Sequence, residues 1–419
     1  MAHFGIISPP VPGHLNPFTA LSHELQRRNH AITFFQIEDV ASRIESEGFG
    51  FRAIGQQDHP LGSLPQSLAQ LGKLGGMDAM RFTIRAVERT TEAFCRDAPK
   101  AIQNAKVDAL LVDQTEPAGG AIAEHLGIPF ITICNALALN REPGVPAGFS
   151  EWAHRDTCWA RMRNRVAYVA SDFVLRGVTG IVNRYRKQWG LAALSSGDES
   201  FSSLAQISQQ SPAFDYPRKQ LPQCFHYVGP LRYVPAGREI SFPWHLLDGR
   251  PLIYASLGTL QNGREDLFRQ IVEACRPLNV QLVISHAGGL TAGAIAEFSR
   301  SALVVPYAPQ QELLSKASLT ITHAGLNTVL DSLSQGVPAI AIPITYEQPA
   351  IAARLHWTGA GTVLPLEKLT VNELQTNVRQ VLSEKNYAIR AGAIADSIRL
   401  AGGVQRAGDI IEQTCAYLG

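Results

Sequence analysis

The stretch Tyr307–Gln348, YAPQQELLSKASLTITHAGLNTVLDSLSQGVPAIAIPITYEQ, leaves few folds open to this chain. Leu319–Thr322 (LTIT) is a short apolar, β-branched run that predicts a buried strand, and His323-Ala324-Gly325 follows it directly. A helical pattern begins near Asn327 with Val329, Leu330 and Leu333 on one face. It stops at Gly336-Val337-Pro338, and Ala339–Ile342 predicts the next buried strand. Together these make one βαβ step. A glycine at the strand-to-helix junction lets backbone N–H groups approach an anion, and the helix N-terminus adds roughly half a positive charge. The expected guest is a phosphate.

The polar residues of the stretch suit a nucleotide sugar. His323 and Thr328 can donate to a diphosphate, and Gly325, Leu326 and Asn327 form the turn that opens the helix beside it. Asp331, one turn further on, can accept from a ribose hydroxyl. Glu347 and Gln348, past the second strand, can hold the hydroxyls of a sugar. Tyr307 offers a flat face to a base, with polar contacts from Ala308 and Gln310. Each of these alone is an ordinary turn or capping residue of a buried αβ unit. The ordered set is what carries the inference.

The stretch resembles the sugar-nucleotide signature of the UDP-dependent glycosyltransferases: Trp-x-Pro-Gln, then His-x-Gly-x-Asn-Ser with a Glu four residues after the Asn, then Gly-x-Pro and Asp-Gln. Here Tyr307 stands for the Trp, Thr328 for the Ser, Asp331 for the Glu and Glu347 for the Asp. Each exchange keeps the chemical type. The longer Glu347 bears on which sugar fits rather than on the reaction.

The chain is long enough, at 419 residues, for two domains that each bury a core. With 45% hydrophobic and 17% charged residues it has the composition of a globular α/β protein. A net charge of +1 gives no reason to expect nucleic acid as a partner. Six cysteines are scattered without a CxxC pair, which argues against a zinc site and suits a reducing cytoplasm. No apolar run approaches the roughly 18 residues of a membrane span, and no signal peptide is expected.

In chain order, His3–Ser8 predicts the first strand, and Pro9–Gly13 a loop that continues neither strand nor helix. Asn16 is expected to cap the next helix, with Pro17 in its first turn. Ala31–Phe35 and Phe51–Ile54 predict further strands of a doubly wound domain, which lacks the GxGxxG of a dinucleotide site. His14 follows Gly13 at the carboxyl end of the first strand, where a site is expected. Val107–Val112 predicts another buried strand ending at Asp113, on the same rim of the sheet. A carboxylate there can fix the imidazole tautomer, so that the other nitrogen takes a proton from an alcohol. Spacing alone leaves this open: His14 is equally a solvated loop residue, and Gln114 and Glu116 could serve in place of Asp113. The resemblance implies an answer, because those transferases use a His in an N-terminal Gly-His loop, paired with an Asp after a central strand. His14 and Asp113 match these positions.

Segments on either side carry apolar stripes. LPQSLAQLGKLGGMDAM precedes a helical pattern over Ile84–Ile102 with an expected break near Pro99. Residues 138–186 carry Trp152, Trp159, Met162, Tyr168 and Phe173. Such stripes are more often core than ligand lining; the resemblance implies a hydrophobic acceptor cleft built from these insertions. It also narrows to the zeaxanthin glucosyltransferase group through Asp58–Gly62, Val112–Gln114 with Glu116–Gly119, Leu139–Pro143, Leu204–Gln209 and Ala255–Gln261.

The second half restarts with Leu252–Ser256 and a loop whose Ser256, Gly258 and Thr259 resemble the family's Ser-x-Gly-Ser/Thr diphosphate contact; a plain tight turn is the alternative. Helix Glu265–Cys275 and strands Gln281–Ser285 and Ala302–Val305 lead to the 307–348 stretch. The expected fold is α/β, two facing Rossmann-like domains of GT-B type: 1–234 for the acceptor, 243–403 for the UDP-sugar, joined by a linker at Pro235–Phe242. A final helix from about 404 returns to the first domain.

The implied activity is an inverting, metal-independent transfer, most readily of glucose, from a UDP-sugar co-substrate to a hydroxyl of a lipophilic small molecule. The expected residues are His14 and Asp113 for catalysis, and Gly13, Ser256, Gly258, Thr259, Tyr307, Ala308, Gln310, His323, Gly325, Leu326, Asn327, Thr328, Asp331, Glu347 and Gln348 for the donor. No cofactor is expected, and peripheral contact with a membrane would suit a lipid-soluble acceptor. The alternatives are the same chemistry on a phenol, flavonoid, terpenoid, sterol or polyketide, or a UDP-sugar epimerase of the same fold.

Overall fold

In the computed structural model, which describes residues 1–72, 74, 76–233, 240–260 and 262–416, the chain builds two all-parallel sheets. The first contains β1 (His3–Ile7), β2 (Ala31–Gln36), β3 (Gly50–Ala53), β4 (Ala109–Asp113), β5 (Phe130–Cys134), β6 (Gln206–Ser208) and β7 (Phe225–Tyr227). The second contains β8 (Leu252–Ser256), β9 (Gln281–Ser285), β10 (Leu303–Val305), β11 (Ala317–Thr322), β12 (Ala339–Ala341) and β13 (Gly361–Val363). Their orders are β3-β2-β1-β4-β5-β6-β7 and β10-β9-β8-β11-β12-β13. The central strands read as unbroken apolar runs because helices cover both faces: every residue of β4 and β8 is buried.

Both orders reverse direction once, between β1 and β4 and between β8 and β11. A crevice opens at such a point beyond the carboxyl ends of the strands. Ile7 pairs with Val112 in the first sheet and Ser256 with Thr322 in the second. The register therefore sets the loop after β1 beside Asp113, and the loop after β8 beside His323.

The first helix runs Pro12–Arg27, which corrects the expected loop and cap. Val11 is its N-cap residue and Pro12 fills the first position, where a missing N–H costs nothing. Gly13 and His14 are thus helical, Asn16 lies inside the helix, and its side chain accepts from Arg43. Pro17 is tolerated within the helix for a reason found in the other half of the chain. Likewise Pro99 does not end its helix, which runs unbroken over Gly76–Ala105. Phe94, Cys95, Ala98 and Ile102 bury against the first sheet and outweigh one lost backbone hydrogen bond.

The last helix, Gly403–Ala416, packs on the Pro12–Arg27 helix. Val404, Ala407, Ile410 and Ile411 join the core formed by Phe4, Leu21 and Leu25. Arg28 donates to Asp409 at 2.8 Å and to Glu412 at 2.7 Å beside them. Of the expected linker, residues 235–239 lie outside the described residues, as do Lys73 and Gly75 of the Leu64–Met80 segment and Gln261.

The 138–186 region forms a helix, Cys158–Gln188, capped by Thr157. Trp159, Met162 and Phe173 on it are exposed rather than core and Tyr168 is half-buried, while Trp152, ahead of the helix, lies under the Arg163 guanidinium at 4.4 Å.

Candidate active site

His14 projects from the first turn of its helix toward the end of β4. Its Nδ1 lies 2.8 Å from Asp113 Oδ2. Asp113 is fully buried, and its carboxylate takes three further hydrogen bonds: from Asn135 Nδ2 at 2.9 Å, the Thr115 backbone N–H at 2.9 Å and the Thr115 hydroxyl at 2.6 Å. Burial by itself lowers the His14 pKa, but the Asp113 charge and hydrogen bond outweigh it and leave the imidazole raised. Burial likewise raises the Asp113 carboxyl, and His14 and Thr115 bring it below its ordinary value. Nδ1 is the engaged nitrogen, so Nε2 is the one that can meet a substrate.

The rivals for that partnership are placed otherwise. Gln114 donates to the Leu137 carbonyl at 2.8 Å and accepts from the Leu139 N–H at 3.2 Å, tying down the 137–139 loop. Glu116 is buried, and its carboxyl is pushed up to about 8, first by burial and then by the Asp113 charge. It is an uncharged acid at neutral pH.

The second crevice holds the loops expected to meet the donor. His323 is followed by Ala324 in left-handed backbone (φ +65) and by Gly325, the N-cap residue of the Leu326–Ser334 helix. The imidazole sits between two glycines. A Cβ on Gly258 (φ +72) would fall 2.6 Å from its Cε1, and one on Gly325 would fall 2.5 Å from its Nε2. Only glycine fits at either place. Burial pushes His323 down to about 4, partly offset by a hydrogen bond to the Ser256 backbone, so the ring is neutral and can donate from one nitrogen only. Ser256 and Thr328 are buried beside it, and Thr259 follows Gly258 in the loop.

Further along, Asp331 is buried and meets three donors: Arg232 Nε at 2.6 Å, Gln310 Nε2 at 2.5 Å and Gln311 Nε2 at 2.8 Å. An ionised carboxylate has about four lone-pair sites, which leaves room for one more donor. Gln310 also accepts from the Tyr254 hydroxyl at 3.0 Å, which fixes the orientation in which its NH2 faces Asp331. Tyr307 is exposed, with Ala308 buried next to it. The Gln348 Oε1 accepts from Ile344 and Thr345 N–H at 2.8 and 2.9 Å, leaving its Nε2 for another partner.

Several of these residues join the two halves. Pro17 has no N–H to give to the Gly13 carbonyl four residues back. Asn327 Nδ2 supplies it instead, at 2.8 Å from Gly13 O. The Asn327 Oδ1 accepts from Gln209 Nε2 at 3.1 Å and Arg232 Nη2 at 3.2 Å. Glu347 Oε2 accepts from the Leu137 N–H at 3.1 Å. His14 therefore stands one residue from a carbonyl held by the Leu326–Ser334 helix. Sequence reasoning gave no role to Arg232, Gln209, Gln311, Thr115 and Asn135; Gln311 lies within the 307–348 stretch and Gln209 ends the Leu204–Gln209 segment, but no spacing marked either as a site residue. A recess of about 1110 Å³ lined by His154, His356, Trp357 and Tyr387 contains none of the expected site residues.

The family model for UDP-glucoronosyl and UDP-glucosyl transferase matches residues 74–394. The chain belongs to this family. It is a UDP-glycosyltransferase, with a nucleotide-sugar donor and a small-molecule acceptor. A second model, the glycosyltransferase family 28 N-terminal domain, matches residues 12–134. Zeaxanthin glucosyltransferase of Pantoea ananas is 39% identical over 99% of this chain and 96% of its own length. Its counterpart in Pseudescherichia vulneris is 36% identical over 99% and 98%. Among solved structures, the glycosyltransferase of kitacinnamycin superposes with a TM-score of 0.76 at 21% identity, covering 99% of both chains. The calicheamicin glycosyltransferase CalG4 does so with a TM-score of 0.75 at 18% identity, covering 100% and 99%. The fold is that of the GT-B glycosyltransferases, two Rossmann-like domains built on the two sheets.

Proposed function

We propose that the protein transfers glucose from UDP-glucose to a ring hydroxyl of a lipophilic alcohol, a carotenoid diol such as zeaxanthin, and forms a β-O-glycoside. Residues 1–234 hold the acceptor and 243–403 the donor. His14 Nε2 takes the acceptor proton while Asp113 keeps Nδ1 protonated and stabilises the imidazolium. The acceptor oxygen forms its bond to the anomeric carbon from the face opposite UDP. The bond from that carbon to the diphosphate oxygen breaks, inverting α to β. Thr328, the Gly258 loop and the N-terminus of the Leu326–Ser334 helix stabilise the charge that develops on the leaving diphosphate, and His323 joins them only by turning its one N–H from the Ser256 backbone to the phosphate. Tyr307 stacks on the base, Asp331 takes a ribose hydroxyl at its remaining site, and Glu347 and Gln348 hold the sugar. The enzyme works in the cytoplasm, at the surface of the membrane that dissolves its acceptor.

The observation that carries this reading is the 2.8 Å His14–Asp113 contact next to a carbonyl that the donor helix itself holds at 2.8 Å. The zeaxanthin glucosyltransferases, similar over nearly their whole length, support the acceptor and the sugar. His14→Ala is expected to bind UDP as wild type does by calorimetry and to lose about two to four orders of magnitude of UDP release with UDP-glucose and zeaxanthin. Surviving turnover would place the base elsewhere. A wild-type enzyme that leaves zeaxanthin unglucosylated but turns over phenols, terpenoids or polyketide alcohols would replace the acceptor and leave the chemistry standing.

A further inference from the structure

The Cys158–Gln188 helix presents two opposite faces. Ala160, Asn164 and Ala167 are buried on one. Trp159, Met162, Val166, Val169 and Phe173 recur at spacings of three and four on the other, in the pattern of one helical face. That second face is bare: Trp159 is 70% exposed, Val166 64%, Val169 68% and Phe173 64%. Large apolar side chains scattered singly are ordinary, whereas a continuous stripe of them on one helix is not. Met77 and Met80 are also exposed, on the Gly76–Ala105 helix that packs along this one.

The charge on the helix indicates what covers the stripe. Between Cys158 and Gln188 stand Arg161, Arg163, Arg165, Arg176, Arg184, Arg186 and Lys187 against one acidic residue, Asp172. By helical position Arg161, Arg165 and Arg176 flank one edge of the stripe, with Asp172 among them, and Arg163 flanks the other. Asp172 is paired with Arg141, Arg161 with Asp156, Arg184 with Glu92 and Arg186 with Glu124, which leaves Arg163, Arg165 and Arg176 at the border with no acidic partner among the described residues. Arg176 stacks on Phe173 at 4.3 Å and Arg163 on Trp152 at 4.4 Å. The charge left unpaired along the border is positive on both edges. An apolar stripe with an aromatic residue and arginines at its edges matches a bilayer interface with anionic headgroups, where the rings sit at headgroup depth and the guanidiniums reach phosphates. No helix among the described residues is long and apolar enough to cross a membrane, so the contact is with one leaflet.

We propose that this face of the Cys158–Gln188 helix, with Met77 and Met80, docks the enzyme on anionic phospholipid. The inference deepens the reading of a lipid-soluble acceptor, since a docked enzyme meets its acceptor in the membrane. It stands on the exposed stripe and its charged border, and its test needs no acceptor.

The test is co-sedimentation with vesicles of phosphatidylcholine alone and of phosphatidylcholine with about a third phosphatidylglycerol. Wild type is expected to bind the anionic vesicles, more weakly as salt rises, and the neutral ones at least tenfold less. Val166→Asp with Val169→Asp, both on the exposed face, should reduce binding at least tenfold while leaving the fold, by circular dichroism, and UDP affinity intact. Arg165→Gln with Arg176→Gln should weaken binding to anionic vesicles alone, by about fivefold per arginine. Wild type that binds neither vesicle overturns the proposal, as does binding indifferent to both pairs of changes. So does a wild-type dimer that light scattering shows to dissociate in the Val166→Asp/Val169→Asp variant, which would make a second copy the occupant. A loss of turnover by that variant on detergent-dispersed acceptor would assign the stripe to the acceptor cleft instead.

Discussion

Replacing Asp113 by Asn tests the proposed base more sharply than removing the base. The change keeps size and shape, but every neighbour of this buried carboxylate is a donor: His14, Asn135, and both the N–H and the hydroxyl of Thr115. An amide has only one oxygen to offer them. The Thr115 backbone N–H cannot turn away, so the amide oxygen stays there and the NH2 faces His14 and Asn135. To avoid a donor–donor clash the imidazole must accept at Nδ1 and carry its proton on Nε2, the nitrogen proposed to act as base. The charge that would stabilise the imidazolium is lost as well. Two unit charges about 4 Å apart at an effective dielectric of about 20 attract by about 4 kcal/mol. That corresponds to about a thousandfold in rate. The assay is initial-rate UDP release across pH, with UDP affinity from calorimetry as the control for folding. Burial alone lowers the His14 pKa and Asp113 raises it, so the limb that His14 protonation gives to kcat/KM should move to lower pH in the variant. A variant within tenfold of wild type, or a limb that does not move, would refute the pairing.

Two further expectations concern stability. The Glu116 carboxyl, ordinarily at 4.5 and pushed up to about 8 in the fold, binds its proton more tightly when folded. Its contribution is therefore most favourable below about 4.5 and declines as pH rises to about 8, by up to about 5 kcal/mol. Glu116→Gln, neutral throughout, should melt close to wild type near pH 5 and above it near pH 9 in calorimetry; a variant that loses ground as pH rises would contradict this. Arg354 is buried, with its Nε 3.1 Å from Asp215 Oδ1 and its guanidinium 4.4 Å over the Tyr216 ring. Arg354→Met leaves Asp215 with Arg218 and Tyr227 but strips one charge from a buried cluster, and about 3 kcal/mol should be lost. An unchanged melting temperature would show the pair to be neutral against an apolar replacement.

Much of the architecture was legible in local pattern. Apolar β-branched runs gave β1, β2, β4, β8, β9 and β11 to within a residue or two, and Gly336-Val337-Pro338 marked the end of the Leu326–Ser334 helix. His14, Asp113 and His323 stood out because each follows an apolar strand, and the carboxyl ends of strands are where doubly wound sheets open. The errors fell on proline. Pro9–Gly13 predicted a loop, yet Pro12 opens the helix; Asn16-Pro17 predicted a start, yet Pro17 lies within; Pro99 predicted a break, yet the helix continues. Tertiary contact decided for Pro17 and Pro99, whereas Pro12 follows a local preference, that of proline for the first helical position.

The sequence by itself determined the strand–glycine–helix steps and the residue types that can meet a phosphate or move a proton. Only the tertiary structure decided which of Asp113, Gln114 and Glu116 meets His14, a choice made 99 residues along the chain by the register of β1 against β4. It also decided that Asn327, 314 residues from Gly13, donates to the carbonyl that Pro17 leaves free, and that Arg232 grips Asp331. Periodicity reports which face of a segment is apolar. Which buried donor finds which buried acceptor depends on how the two sheets pack, and no spacing along the chain encodes that.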